Sequence, residues 1–126
     1  MQLTDLKSIL FPTDFSDASA AALDVATDLA RIFHAAIEIL HVDLDLALVV
    51  PPPGDVIALP MAMQGMRTDA AEKLERAVSE VREQNIPCNG ASESGRTYTA
   101  IVDHAARIGA GLIVMGSHGR HGLGHL

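Results

Sequence analysis

The sequence predicts an open α/β domain, a buried parallel sheet with helices on both faces. Three observations carry this. Short apolar runs of strand length alternate with longer segments of helical period. The 126 residues are 48% apolar but only 3% aromatic, so the core is aliphatic, as suits helices laid on a buried sheet. The last strand-like run, residues 112–115, is wholly apolar and opens directly into a glycine-rich loop.

Taken in order, residues 8–13 read as a short buried strand that ends at Pro12, which has no amide to give to a ladder. Residues 14–17 form a turn, with Ser16 or Asp17 placed to cap the next helix. That helix reaches Phe33 or His34. Leu23, Ala26, Ala30 and Phe33 face inward with Val25 and Leu29 beside them, and Asp24, Asp28 and Arg31 mark the wetter side. Residues 36–42 form a second strand, and strand–helix–strand at this spacing gives a right-handed crossover and a parallel pair. Residues 43–60 contain Pro51, Pro52, Pro53 and Gly54 and read as a long loop. A second helix covers residues 62–84, with Met66, Ala70, Leu74, Ala77, Val78 and Val81 as its buried stripe and mixed charge, read as surface, elsewhere. Met61, Met63 and Met66 either pack at the helix start or line a ligand mouth. Residues 88–93 are a polar strand suited to a sheet edge. Thr97 is a candidate cap for a third helix that runs to Ile108. It turns Ile101, Ala105 and Ile108 inward with Val102 beside them, and Gly109 and Gly111 end it. Residues 112–115 are the last strand and are expected to be central.

Composition excludes several functions. The formal net charge is −7, and the basic residues are scattered, so neither nucleic acid nor an anionic membrane surface is expected as the main partner. Three Phe, one Tyr and no Trp leave no stacking platform for bases of a nucleic acid. A single anionic ligand stays open, because backbone amides bind phosphate without net positive charge. The one cysteine, Cys88, allows no intrachain disulfide and reads as a semi-buried residue at a strand start rather than a reactive thiol. There is no N-terminal apolar signal segment and no apolar stretch of bilayer length, and the expected location is cytoplasmic.

Two strand ends carry candidate chemistry. Gly116 and Gly119 lie three apart after the last strand, with Ser117, His118, Arg120 and His121 in the gaps and Gly122 and Gly124 beyond. Such a loop is either a flexible turn or a phosphate cradle in which glycines let backbone amides approach an anion. Neither a Walker-type loop nor a Gly-x-Gly-x-x-Gly after the first strand is present. Asp14 ends the first strand instead, at the crevice where such sheets bind ligands. It could accept from a ribose hydroxyl, hold a metal-bound water, or cap a turn. Asp14 and Gly116 stand at the ends of strands that could be neighbours. His118, His121 and His125 have zinc-like spacing but no local fourth ligand, so Arg120 or His121 on a phosphate is the better reading. His41 reads as a hydrogen-bonded strand histidine and His104 as surface or edge packing. No nucleophile elbow and no local carboxylate pair occurs, and adjacency does not make Ser117 and His118 a nucleophile and base, so the sequence does not imply turnover.

Ser-Ile-Leu-Phe-Pro-Thr-Asp-Phe-Ser-Asp at residues 8–17 resembles the opening of universal stress proteins. Leu40, His41 and Val42 resemble the end of that family's second strand. Leu-Ile-Val-Met-Gly-Ser-His-Gly-Arg at residues 112–120, followed by Gly122 and Leu123, resembles its nucleotide loop. The resemblance spans nearly the whole chain and implies an adenine nucleotide alpha hydrolase-like, Rossmann-like fold of five parallel strands. It implies a ligand, ATP or AMP, with or without Mg²⁺. Pro12, Thr13 and Asp14 would line the nucleoside, and Val42 would meet the adenine edge through its backbone. Gly116, Ser117, His118, Gly119 and Arg120 would form the phosphate loop. It implies a stress-response regulator that hydrolyses ATP weakly at most, and a homodimer paired through its last strand. The family's loop continues for nine residues past its second glycine, so residues 1–126 are expected to be one domain, incomplete at the C-terminus, with the last strand and helix beyond Leu126. Two alternatives stand beside this reading: a dimeric interaction protein that binds no nucleotide, and a slow Mg²⁺-dependent ATP hydrolase using Asp14.

Overall fold

A computed structural model of the chain describes residues 5–44 and 59–117. At its centre β1 (Ser8–Pro12) buries Ile9, Leu10, Phe11 and Pro12 in succession. A strand covered on both faces has no wet side to alternate with, which is why this run is continuously apolar. α1 (Asp17–Phe33) follows, then β2 (Ala36–Leu44), α2 (Leu59–Arg82), β3 (Cys88–Gly95), α3 (Thr97–Ile108) and β4 (Leu112–Ile113). The sheet order is β3-β2-β1-β4 and every pairing is parallel. The open parallel α/β architecture is thus as expected. The order also confirms that the strands ending near Asp14 and Gly116 are neighbours, with β1 Leu10 opposite β4 Ile113.

The two faces of the sheet are covered differently. On one, Ile9, Phe11, Ile37 and Ile39 meet Ala26 and Ala30 of α1 and Val78 and Val81 of α2. On the other, Leu10 and Leu40 meet Ile101 of α3. Burying each of the Ile, Leu, Val and Phe side chains contributes about 1.5–3 kcal/mol. α2 approaches β3 closely because Gly90 lacks a side chain, and a Cβ there would lie 2.9 Å from Val78 Cγ2.

Local signals set most boundaries. Ser16 caps α1, its Oγ accepting from the Ser19 amide at 3.2 Å. α1 ends at His34, which adopts the left-handed conformation. Several details differ from the sequence reading. Arg96, not Thr97, occupies the cap position of α3, without a side-chain cap. Val25 and Met66 are 53% and 72% exposed, because the inward face of α1 is centred on Ala26 and the first turns of α2 stand beyond the strand ends. β3 is longer than expected but is at the edge, as its polarity suggested. β4 is not central: among the described residues it pairs only with β1. The loop expected at residues 43–60 is shorter at both ends, since β2 runs to Leu44 and α2 starts at Leu59; residues 45–58, and the side chains of Met61 and Met63, lie outside the described residues.

Arg82 covers the start of the β3 edge, its Nε donating to the Cys88 carbonyl at 2.7 Å and its Nη2 to Asn89 Oδ1 at 3.2 Å. Cys88 itself is 5% exposed. Burial pushes its thiol from 9.0 up to about 11, against the pull of Arg82 and with help from Glu38. The native thiol therefore holds its proton where the unfolded one loses it. The stability this contributes is full below pH 9.0 and is lost as pH rises toward about 11. At pH 7.5 a disulfide-exchange reagent should label native Cys88 only as fast as the protein unfolds. Rapid stoichiometric labelling of the folded protein would contradict this burial.

Candidate functional site

The turn between β1 and α1 builds the site. Pro12 ends the strand, and the Thr13 amide still reaches the Leu40 carbonyl at 2.9 Å. Phe15 is then forced to φ 62°, uncommon for a bulky residue. Side chains hold it there: Thr13 Oγ1 accepts from the Phe15 amide at 3.0 Å, and Asp14 Oδ1 accepts from the Ser16 amide at 2.9 Å and the Ser19 hydroxyl at 2.8 Å. Asp14 therefore caps the turn, one of the readings the sequence left open, and it also lines the crevice.

A cleft of about 360 Å³ opens at the C-terminal ends of β1 and β2 and brings together Pro12, Thr13, Asp14 and Val42. Its far walls come from α2, through Met66, Asp69 and Lys73, and from α3, through Thr97 and Ile101. Phe15 stacks on His41 with ring centroids 5.2 Å apart. Lys73 Nζ stands 6.0 Å from the Phe15 ring and 3.1 Å from Asp69 Oδ2. His41, read from the sequence as a hydrogen-bonded strand histidine, has its Nδ1 3.3 Å from Asp43 Oδ1. The helical stripe had assigned Met66 and Ala70 to the core, but both line this cleft.

Gly116 is buried and Ser117 exposed. Gly116 does not line the cleft but abuts the first turn of α1. A Cβ there would lie 3.0 Å from both the Ala18 carbonyl carbon and the Ser19 amide nitrogen. The ends of β1 and β4 thus converge at the N-terminus of α1, where the sheet order changes direction. Open α/β sheets bind ligands at this position, and exposed helix amides there favour anions. His118, Gly119 and Arg120, with His121 and His125, lie outside the described residues.

A model of the universal stress protein family matches residues 6–126. The chain belongs to this family. Universal stress protein YxiE of Bacillus subtilis (strain 168) is 29% identical over 120 residues, which cover 91% of this chain and 81% of the relative. Universal stress protein UspA from Lactobacillus plantarum superposes with a TM-score of 0.77 at 24% identity, covering 90% of this chain and 79% of that one. A universal stress protein solved in complex with cAMP superposes with a TM-score of 0.57 at 21% identity, covering 86% and 70%. The two structural likenesses are likenesses of fold.

One buried polar group in this universal stress protein escaped the sequence reading. His104, read from the sequence as surface or edge packing, is 6% exposed. Its Nε2 bonds Glu38 of β2, and its Nδ1 lies 3.1 Å from Glu93 Oε1 of β3. Arg107 Nη2 reaches the same Glu93 oxygen at 2.5 Å. Bonding to His104, and then to Arg107, holds the Glu93 carboxyl below its usual 4.5. What this ionised group contributes is full above pH 4.5 and is lost as pH falls through its folded value. The signal was present: residues 101, 104, 105 and 108 fall on one helical face, and Glu38 interrupts an apolar strand.

Gly116→Ala should destabilise the fold by about 1–3 kcal/mol, because the neighbours that must give way are backbone and not a flexible side chain. Urea unfolding measures this, and an unchanged midpoint would contradict the close approach.

Proposed function

We propose that this protein binds an adenine nucleotide, ATP or AMP, with Mg²⁺ accompanying the phosphates, and serves as a stress-response regulator working as a homodimer. One observation carries the reading: Asp14, the α1 N-terminus and Gly116 converge where the sheet order reverses, beside a cleft of about 360 Å³. That volume lies within the range of small-molecule sites, about 300–1,000 Å³.

The residues fit such a ligand. Pro12 and Thr13 offer an apolar and a hydroxyl contact to a nucleoside, and Asp14 is an acceptor for ribose hydroxyls. The backbone of Val42 faces the base edge. On this reading the phosphates lie toward α1 and Gly116, and Ser117, His118, Gly119 and Arg120, which follow in sequence, are the candidates to hold them. A family member solved in complex with cAMP adds the cyclic nucleotide to the ligands to be compared.

Calorimetric titration with ATP, AMP and cAMP, with and without Mg²⁺, tests this. ATP or AMP should bind, and Asp14→Asn should weaken that binding about ten- to hundredfold. The variant removes a hydrogen bond to a charged group, worth about 1.5–3 kcal/mol, and keeps an acceptor oxygen for the turn. Absence of binding by both at millimolar concentration would favour the interaction-protein reading. Single-turnover phosphate release that Asp14→Asn abolishes while binding survives would identify a slow hydrolase.

A further inference from the structure

α3 contributes a wall to the cleft through Thr97 and Ile101, and His104 sits about one turn further along the same helix face. Its neighbours on that face, Ala105 and Ile108, pack against the apolar cluster around Ile101. An apolar residue would meet the packing demand at position 104 without desolvating an imidazole and a carboxylate, since buried polar networks are favourable only when every member is satisfied.

Here both ring nitrogens of His104 have a partner, and the partners come from several elements. Glu38 faces the ring from β2, Glu93 from β3, and Arg107 from α3 itself, with its Nη2 2.9 Å from His104 Nδ1. Nε2 faces Glu38, whereas Nδ1 stands between an acceptor, Glu93, and a donor, Arg107, and bonds one of them at a time: Glu93 where Nδ1 carries a proton and Arg107 where it does not. Directional bonds to two strands specify one rotation and one axial setting of α3, which apolar contact alone leaves loose.

We propose that His104 is a positioning residue for the cleft: by pinning α3 to β2 and β3 it fixes the wall that Thr97 and Ile101 present to a ligand. Its consequence for ligand affinity rests on the nucleotide reading above, whereas its consequence for α3 does not.

The test compares His104→Phe with His104→Gln in the full chain. Phenylalanine restores packing but no donor, and glutamine restores a donor toward Glu38 but packs less well. Amide hydrogen exchange at residues 100–104, the first amides of α3 with helical partners, is read without ligand, and ATP affinity is read by calorimetry. Exchange at 100–104 should quicken about tenfold or more in the Phe variant and less than about threefold in the Gln variant, with the α1 amides unchanged in both. ATP affinity should fall in the same order. A Phe variant as protected as the native protein, or a Gln variant looser than the Phe variant, overturns the proposal. If the native protein binds no ATP, the nucleotide reading falls and the order of exchange rates still decides the role of His104. If the Phe variant does not fold, Glu93→Ala, at the half-buried sheet edge, should quicken exchange at 100–104, and unchanged exchange there overturns the proposal.

Discussion

The backbone of Gly116 runs against the backbone of the first turn of α1, and the open end of the sheet depends on that contact. β4 neighbours β1, so the chain leaving β4 must pass the helix that β1 has just launched. A Cβ there would lie 3.0 Å from helix backbone, so the approach is unstrained only for glycine. The helix in turn must begin within four residues of Pro12, which puts Phe15 into the left-handed region. That conformation is unfavourable for a bulky residue and persists because the surroundings over-determine it. Thr13 and Asp14 satisfy the amides of Phe15 and Ser16, and Asp14 ties the turn to Ser19. The run Thr13–Asp14–Phe15–Ser16 and the distant Gly116 are therefore one constraint, although a hundred residues of chain separate them.

Much of this was readable because it is local. Apolar period located α1 and α3, short side chains with free oxygens marked the α1 cap, and the polarity of residues 88–93 put their strand at an edge. The neighbourhood of Asp14 and Gly116 followed from where ligand-binding sheets place their strand ends. What failed was tertiary. A helical stripe identifies a face but not how far the sheet extends beneath it, so Met66 was assigned to a core that stops short of it. Lys73 looked like one charge among many on α2, and only the position of α2 over the strand ends brings it to Phe15. His104 had the right spacing for burial, but its partners stand on two strands, one of them 66 residues away. No local pattern pairs a histidine with such a partner.

The two faces of the sheet are stabilised by different means. The α1 and α2 face is a broad aliphatic cluster, whose alanines let α1 lie close to the strands. Apolar packing there is extensive and, being non-directional, tolerant. The α3 face buries few large side chains and adds the Glu38–His104–Glu93–Arg107 network. Breaking such a network is costlier than never having built it, because half-buried carboxylates are left without the partner they were desolvated to meet. The face with less apolar area is therefore also the face on which orientation is most sharply defined, and that face supplies the α3 wall of the cleft.

Charge limits how an anionic ligand could lie. The protein carries a formal net charge of −7, and Asp14, Asp43 and Asp69 line the cleft with Lys73 as their cationic neighbour. Lys73 is already close to Asp69. Two like charges 4 Å apart repel by about 1 kcal/mol in water and about 4 kcal/mol at the effective dielectric of a protein surface, so phosphates among these carboxylates would be strongly disfavoured. A ribose or an amino group would not be, since carboxylates accept from hydroxyl and N–H donors. The N-terminus of α1 adds helix amides whose summed dipole approaches about half a positive charge, but Asp14 already bonds the Ser16 amide there and Asp17 stands in the first turn. On the nucleotide reading the nucleoside belongs in the carboxylate-lined cleft, and phosphates turned toward α1 and Gly116 meet the Asp14 carboxylate as well as backbone, so a counter-cation beside them is part of that reading.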